Sequence, residues 1–399
     1  MNINRERYLD KVRPYYQKQL IKVLTGQRRV GKSYILQQVA EDIRNRHKRA
    51  HIIYIDKEQF EFDQIRNYRD LHQFVKNHSV DSMNYLFIDE IQEINGFEKA
   101  LRSLLAKGNY DIYCTGSNAQ LLSGELATLL SGRQISVHIY SLSFHEFKIF
   151  HQLEHNQETL MKYLKFGGLP YLIHLPLTEE IIFDYLKNIN ATILLRDIVS
   201  RYEIRDVAFL TNLLRFIADN VGNLTAAKRI SDYLKSLGDS KTPFVISNYL
   251  SYLENVFYII RAQRQDIQGK RIFEYSSKFY FQDLGLRNAA AGFKPDDINK
   301  LIENVVFMHL LLNDYQVHVG KTGMKEVDFI AERQGEKTYV QATYLLSDNR
   351  IIEREFGNLL SIKDNYPKYV VSMDQFNAPG TYKGIKHLPL LDFLETTPS

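Results

Sequence analysis

The sequence contains no tryptophan and a single cysteine, Cys114, among 399 residues. One thiol cannot build a disulfide framework, so a small secreted scaffold is excluded. No apolar run approaches the roughly 20 residues that span a bilayer, and no membrane association is expected. Residues 1–7 are polar and lack the apolar core of a signal peptide, so a cytoplasmic location is expected. A large excess of one charge is missing too: 51 Lys+Arg face 47 Asp+Glu, a formal net of +4. That balance argues against a nucleic-acid coat protein, although a local basic surface can sit inside it. Internal repeats, low-complexity tracts and long Pro/Gly linkers are absent, and the composition excludes collagen, coiled coil and disordered tail. What remains, 44% hydrophobic and 25% charged residues, is an ordinary globular composition over a length that suits two or three domains.

Short apolar runs alternate with amphipathic stretches over residues 20–150. Buried strands are predicted at 20–24, 52–55, 85–88 and 111–114, with a helix from about Lys32. Continuous rather than alternating apolarity fits strands covered on both faces, and strand–helix alternation predicts a parallel α/β sheet with helices on both sides.

The strand at 20–24 runs into Gly26-Gln27-Arg28-Arg29-Val30-Gly31-Lys32-Ser33, a match to G-x-x-x-x-G-K-[ST] in its proper strand–loop–helix setting. Glycines let backbone N–H groups converge on phosphate oxygens, and the helix start adds partial positive charge. In this chemistry Lys32 reaches the β- and γ-phosphates of ATP and Ser33 offers a hydroxyl to Mg²⁺. Arg28 and Arg29 read as a solvated pair near a lid, with phosphate contact as the alternative. The strand at 85–88 ends in Asp89-Glu90. Asp89 is placed to hold Mg²⁺, and Glu90 to polarise an attacking water; two solvated acids are the bland alternative. Ser117 and Asn118, after the next strand, are candidates to bridge the γ-phosphate and that water, although Asn118 is also a plausible helix cap. Arg133 is an arginine-finger candidate in cis or in trans, with a surface arginine as the alternative; action in trans would require an oligomer.

These stretches, together with Ser131-Gly132-Arg133, Ser141-Leu142-Ser143-Phe144-His145-Glu146-Phe147, Gly167-Gly168-Leu169-Pro170 and Leu195-Arg196-Asp197-Ile198, resemble AAA-type ATPases. More narrowly, the chain is similar to a prokaryotic family that joins an AAA domain to a C-terminal domain of unknown function. The resemblance spans essentially the whole chain and implies ATP binding and hydrolysis, without a biological role.

The expected organisation is an ATPase domain at 1–150, a helical lid at 151–205, a winged-helix-like domain at 206–292 and a restriction-endonuclease-like domain at 293–399. Within 206–281, three amphipathic helices precede a hairpin around Gly269. Residues 226–278 carry nine bases against five acids, a local +4 that equals the whole-chain excess. Winged helices contact DNA or serve as protein-interaction modules; on the DNA reading Arg264, Lys270 and Arg271 are the wing contacts. In the last hundred residues Glu303, Asp328, Gln341 and Thr343 fall where a nuclease of that fold carries a helix Glu, a strand Asp and a Glu-x-Lys. Gln341 and Thr343 replace the second carboxylate and the lysine, so a degenerate binding module is expected rather than an active nuclease, with Lys325 and Glu326 as nearby substitutes. Three functional readings follow: an ATP-driven switch, a non-hydrolysing ATP-regulated interaction module, and an ATP-gated metal-dependent nuclease.

Overall fold

A computed structural model describes residues 3–119, 130, 132–236, 238, 241–267, 272–323, 325–375 and 379–396. The chain divides into two compact units, residues 1–140 with 255–257, and 141–254 with 258–399. The first division therefore falls ten residues before the expected 150, because the capping-box helix that opens at Ser143 belongs to the second unit.

The first unit opens with α1 (Glu6–Val12). A five-stranded parallel sheet follows, formed by β1 (Ile21–Thr25), β2 (His51–Asp56), β3 (Asn84–Asp89), β4 (Tyr110–Gly116) and β5 (Gln134–His138). The spatial order is β2-β3-β4-β1-β5, with helices α2 (Lys32–Arg46), α3 (Tyr68–Asn77) and α4 (Phe97–Ala106) in the crossovers. β1, β3 and β4 are buried along their whole length, which is why they read as unbroken apolar runs. Lys22 is the exception inside β1; it is fully buried and pairs with Asp111 of β4, whose other oxygen accepts from the Tyr113 hydroxyl. Because all five strands are parallel, Thr25, Asp89, Gly116 and His138 end at one edge. A crevice outside the carboxyl ends of such strands is where α/β sheets bind ligands.

The second unit begins with helices α5 (Phe144–His151), α6 (Gln157–Phe166) and α7 (Glu179–Thr192), the last continuing as a π-helix over Ile193–Ser200. Next come α8 (Val207–Asp219), α9 (Ala227–Ser236) and α10 (Pro243–Asn255), then the antiparallel pair β6 (Ile259–Asp266) and β7 (Ile272–Phe281). Helices α11 (Leu284–Ala291) and α12 (Ile298–Leu312) lead to β8 (Gln316–Thr322), β9 (Lys325–Arg333) and β10 (Glu336–Ala342). The unit closes with α13 (Asn349–Leu360), β11 (Lys368–Ser372), β12 (Thr381–Tyr382), β13 (Ile385–Pro389) and α14 (Leu390–Phe393). Its eight strands form one mixed sheet, β12-β13-β11-β10-β9-β8-β6-β7. The hairpin expected to be the wing of a winged helix is part of that sheet: β6 pairs in parallel with β8 through Arg264↔Val319. The boundary expected at 292/293 is thus bridged by backbone hydrogen bonds.

Candidate functional site

The phosphate-loop sequence lies at the carboxyl edge of the first sheet, between β1 and α2. Gly26 has φ 150°, and a Cβ there would stand 2.2 Å from the Ile139 carbonyl oxygen, so only glycine fits. Gly31 takes φ 93° and caps α2, leaving the first N–H groups of that helix without intrahelical partners. The loop is tied from behind by Arg5, whose Nη1 donates to the carbonyls of Val30 (3.1 Å) and Tyr140 (3.0 Å). Nothing in the polar N-terminal stretch signals that role, because both partners are remote in sequence.

Lys32 is buried within the loop. Its Nζ donates to the Gln27 carbonyl at 3.1 Å and stands 3.9 Å from Glu90 Oε1. Gln27 is fully buried, and both polar atoms of its side chain lack a hydrogen-bond partner. Arg28 departs from the expected solvated pair. It is buried and lies 3.6 Å from Glu58, whereas Arg29, at φ 70°, is exposed.

Asp89 ends β3 and accepts hydrogen bonds from the hydroxyls of Ser33 and Thr115. Burial pushes its carboxyl above the ordinary value, against the pull of those two hydroxyls. The next residue, Glu90, sits at φ 53°, in the left-handed region that a side chain enters at a cost. Its N–H is held by Thr115 Oγ1 at 2.9 Å. Its carboxylate receives the Gln92 amide and, at 3.4 Å, the Ser117 hydroxyl. Burial opposes ionisation of Glu90, but Lys32, Gln92, Arg28 and Ser117 together hold its pKa below the ordinary value, so it is a carboxylate at neutral pH. Gln92 and Thr115 were not assigned roles by the motif; both act through Asp89 and Glu90. Asn118 is buried just past β4.

Arg133 is not part of this group. It is exposed at the amino end of β5, where its carbonyl accepts the Ile21 N–H at 2.9 Å. Five residues of strand, about 16 Å, separate it from His138 at the loop edge, so within one copy of the first unit it cannot reach a phosphate bound there.

The residues present fit Mg²⁺-ATP. Two buried amide atoms of Gln27 are unpartnered, and the donor set joins one ammonium, one hydroxyl and two carboxylates.

In the second unit, Glu303 of α12, Asp328 of β9 and Gln341 of β10 converge, together with Glu326. A residue that sequence patterns did not flag, Lys278 of β7, stands among them. Thr343 follows β10 and spends its N–H on the Val371 carbonyl, and Lys325 donates away from the group to the Gly357 carbonyl. Of the expected wing contacts, Arg264 lies 3.6 Å from Glu326, while Lys270 and Arg271 lie outside the described residues.

Two family models match parts of the chain. An AAA domain family model matches residues 18–148, and a domain of unknown function (DUF8612) matches residues 157–297. A Haemophilus influenzae protein, bearing only the name uncharacterized protein, is 37% identical over 401 residues and 98% of each chain. Methanocaldococcus jannaschii uncharacterized protein MJ1544 is 31% identical over 82% of this chain and 75% of its own. Among solved structures, the replication initiator DnaA bound to AMPPCP and single-stranded DNA superposes with a TM-score of 0.33 at 17% identity, covering 63% of this chain and 88% of that one. The Aeropyrum pernix ORC1 protein in complex with DNA gives 0.33 at 10% identity, covering 73% and 93%. The chain belongs to the family of the Haemophilus and Methanocaldococcus proteins, with an AAA domain over residues 18–148 followed by that domain of unknown function.

Proposed function

We propose that the protein is an Mg²⁺-dependent ATPase that works as a nucleotide-driven switch. The observation that carries this reading is the convergence of Lys32, Ser33, Asp89 and Glu90 at one edge of the parallel sheet, with Glu90 strained and ionised. The N–H groups at the start of α2 and the Lys32 ammonium bind the β- and γ-phosphates. Ser33 and Asp89 form an oxygen pair suited to Mg²⁺, which neutralises phosphate charge when bound. Glu90 accepts a proton from the attacking water, and Gln92 with Ser117 fixes the direction of its carboxylate. Arg133, placed far from the loop in its own copy, acts in trans on a second copy.

ATP turnover by purified protein tests this. Lys32→Ala is expected to weaken ATP binding and lower turnover by about 10²-fold or more, since the charge on the transferring group is no longer met. Unchanged binding and turnover would sink the assignment. Binding without turnover in the wild type would favour the non-hydrolysing module.

DNA contact by the second unit belongs to the same proposal, but on residues other than the wing. Lys241 pairs with Asp206, Arg261 with Glu254, Arg264 with Glu326, and Lys278 is buried among acids. Helix α10 carries no Lys or Arg. Among the described residues of 226–278, the exposed bases are Lys228, Arg229 and Lys235 of α9. If α9 meets phosphates, changing all three to Ala should lower the slope of log affinity against log salt by about 2–3 for duplex DNA. Binding that ignores salt, or none, would point to a protein partner, for which exposed Phe244 and Tyr233 on the same module offer apolar area.

A further inference from the structure

The acids of the second unit surround a cation that the chain itself provides. Lys278 Nζ lies 2.8 Å from Glu303 Oε1, 2.9 Å from Glu326 Oε1 and 3.5 Å from Asp328 Oδ1, and its side chain is only 3% exposed. The ammonium donates a hydrogen bond to Glu303 and forms ion pairs with Glu326 and Asp328. Further donors reach the same carboxylates. The Tyr280 hydroxyl donates to Glu303 Oε1 at 2.6 Å, the Ala342 N–H to Asp328 Oδ2 at 2.9 Å, and Arg264 stands 3.6 Å from Glu326 Oε2. Gln341 turns its amide oxygen to the Asp328 N–H at 3.3 Å, away from a shared ion. Gly222 closes one side so tightly that a Cβ there would sit 2.8 Å from Glu303 Oε2.

We propose that Lys278 is a resident cation: its ammonium holds the point at which Glu303, Glu326 and Asp328 would otherwise gather a divalent metal, so the native cluster excludes Mg²⁺ and Mn²⁺ and instead pins β7 to β9 and α12. The charges support this. Three carboxylates face Lys278 and Arg264. Burial opposes the charge on Lys278, yet Glu303, Asp328 and Glu326 hold its pKa above the ordinary lysine value. A divalent ion would have to enter beside a fixed ammonium and displace it from the carboxylates it already pairs with, against both repulsion and the ion's need for about six oxygen ligands. The same placement explains why Gln341 and Thr343 are tolerated: a cluster that holds no metal needs neither a second strand carboxylate nor a strand lysine. This inference does not depend on the ATPase reading.

The test uses full-length protein without nucleotide, with MnCl2 as the probe in calorimetry and thermal unfolding. Wild type and Asp328→Asn are expected to give the same Mn²⁺ response, because neither binds metal in the cluster. Lys278→Met should unfold at lower temperature, bind Mn²⁺ with a Kd of about 0.1–1 mM, and recover part of its lost stability. Both gains should vanish in Lys278→Met/Asp328→Asn. A wild-type Mn²⁺ signal that Asp328→Asn removes would overturn the proposal, as would a folded Lys278→Met that gains no site. If Lys278→Met does not fold, the wild-type and Asp328→Asn pair decides: an Asp328-dependent signal overturns the proposal and equal responses support it.

Discussion

Glu90→Gln is expected to lower ATP turnover by about 10²–10⁴-fold, the range for loss of a positioned general base, while nucleotide binding persists. The substitution keeps the shape of the side chain and its acceptor toward Gln92 and Ser117, but removes the charge that draws a proton from water. Binding should survive because the groups proposed to meet the phosphates, the start of α2 and Lys32, are untouched. Lys32 stands 3.9 Å from Glu90, so loss of the carboxylate also leaves one more net positive charge near the loop, and nucleotide affinity should rise rather than fall. Steady-state turnover and equilibrium binding of ATP, measured on the same preparation, separate the two effects. Turnover within threefold of wild type would remove Glu90 from the chemistry.

Arg287→Met is expected to cost about 3–5 kcal/mol, the range for breaking a buried ion pair from one side. Arg287 is fully buried on α11. It donates to Asp297 Oδ2 at 2.7 Å, to the Ala218 carbonyl at 2.8 Å and to Asn288 Oδ1 at 3.1 Å. Methionine fills much of the volume but leaves these acceptors buried and unmet. The helix is a hub for other elements as well. Asp283 caps it and also accepts the Gly168 N–H, and the Asn288 amide donates to the carbonyls of Leu164 and Lys165. Loosening α11 therefore disturbs α6 and α8 together. The midpoint of urea unfolding, followed by circular dichroism, reads the loss. A shift worth less than about 1 kcal/mol would contradict it.

The variant should also lose part of an acid sensitivity. Burial opposes ionisation of Asp297, but hydrogen bonds from Lys300 and Arg287 bring its folded pKa below 3.8. A depressed carboxyl stabilises the fold above its ordinary pKa, and that contribution fades as pH falls through the folded value.

The parts of this molecule that were legible in the sequence are those whose physics is local. Unbroken apolar runs at β1, β3 and β4 announce strands covered on both faces, since no polar face has to be spared. The phosphate loop is contiguous, and its glycines, lysine and serine are all positioned by eight residues of backbone. Gly167-Gly168-Leu169-Pro170 was equally visible as a motif, but its meaning was not. A Cβ at Gly167 would meet Asp283 Oδ1 at 2.3 Å, and one at Gly168 the Leu142 carbonyl at 2.5 Å, so Gly167 packs closely on the start of α11 and Gly168 on the backbone before α5.

Charge counting was legible in number and misleading in place. The excess of +4 over 226–278 looks like one basic surface when read along the chain. Folding pairs Lys241, Arg261 and Arg264 with Asp206, Glu254 and Glu326, and draws Lys278 inside. Only approach in three dimensions tells a paired base from an open one, because the partners lie 7 to 62 residues away in sequence.

By itself, the sequence determined the parallel α/β sheet of the first unit, the glycine-bounded loop between β1 and α2 and the acidic end of β3, because each follows from neighbours along the chain. The tertiary structure alone decided that Arg5 braces the loop, that Arg133 faces the far edge of its sheet, that the hairpin joins an eight-stranded sheet, and that Lys278 sits among three acids. Those features depend on separate elements meeting, through side chains or paired backbone, and composition and periodicity carry no record of such meetings.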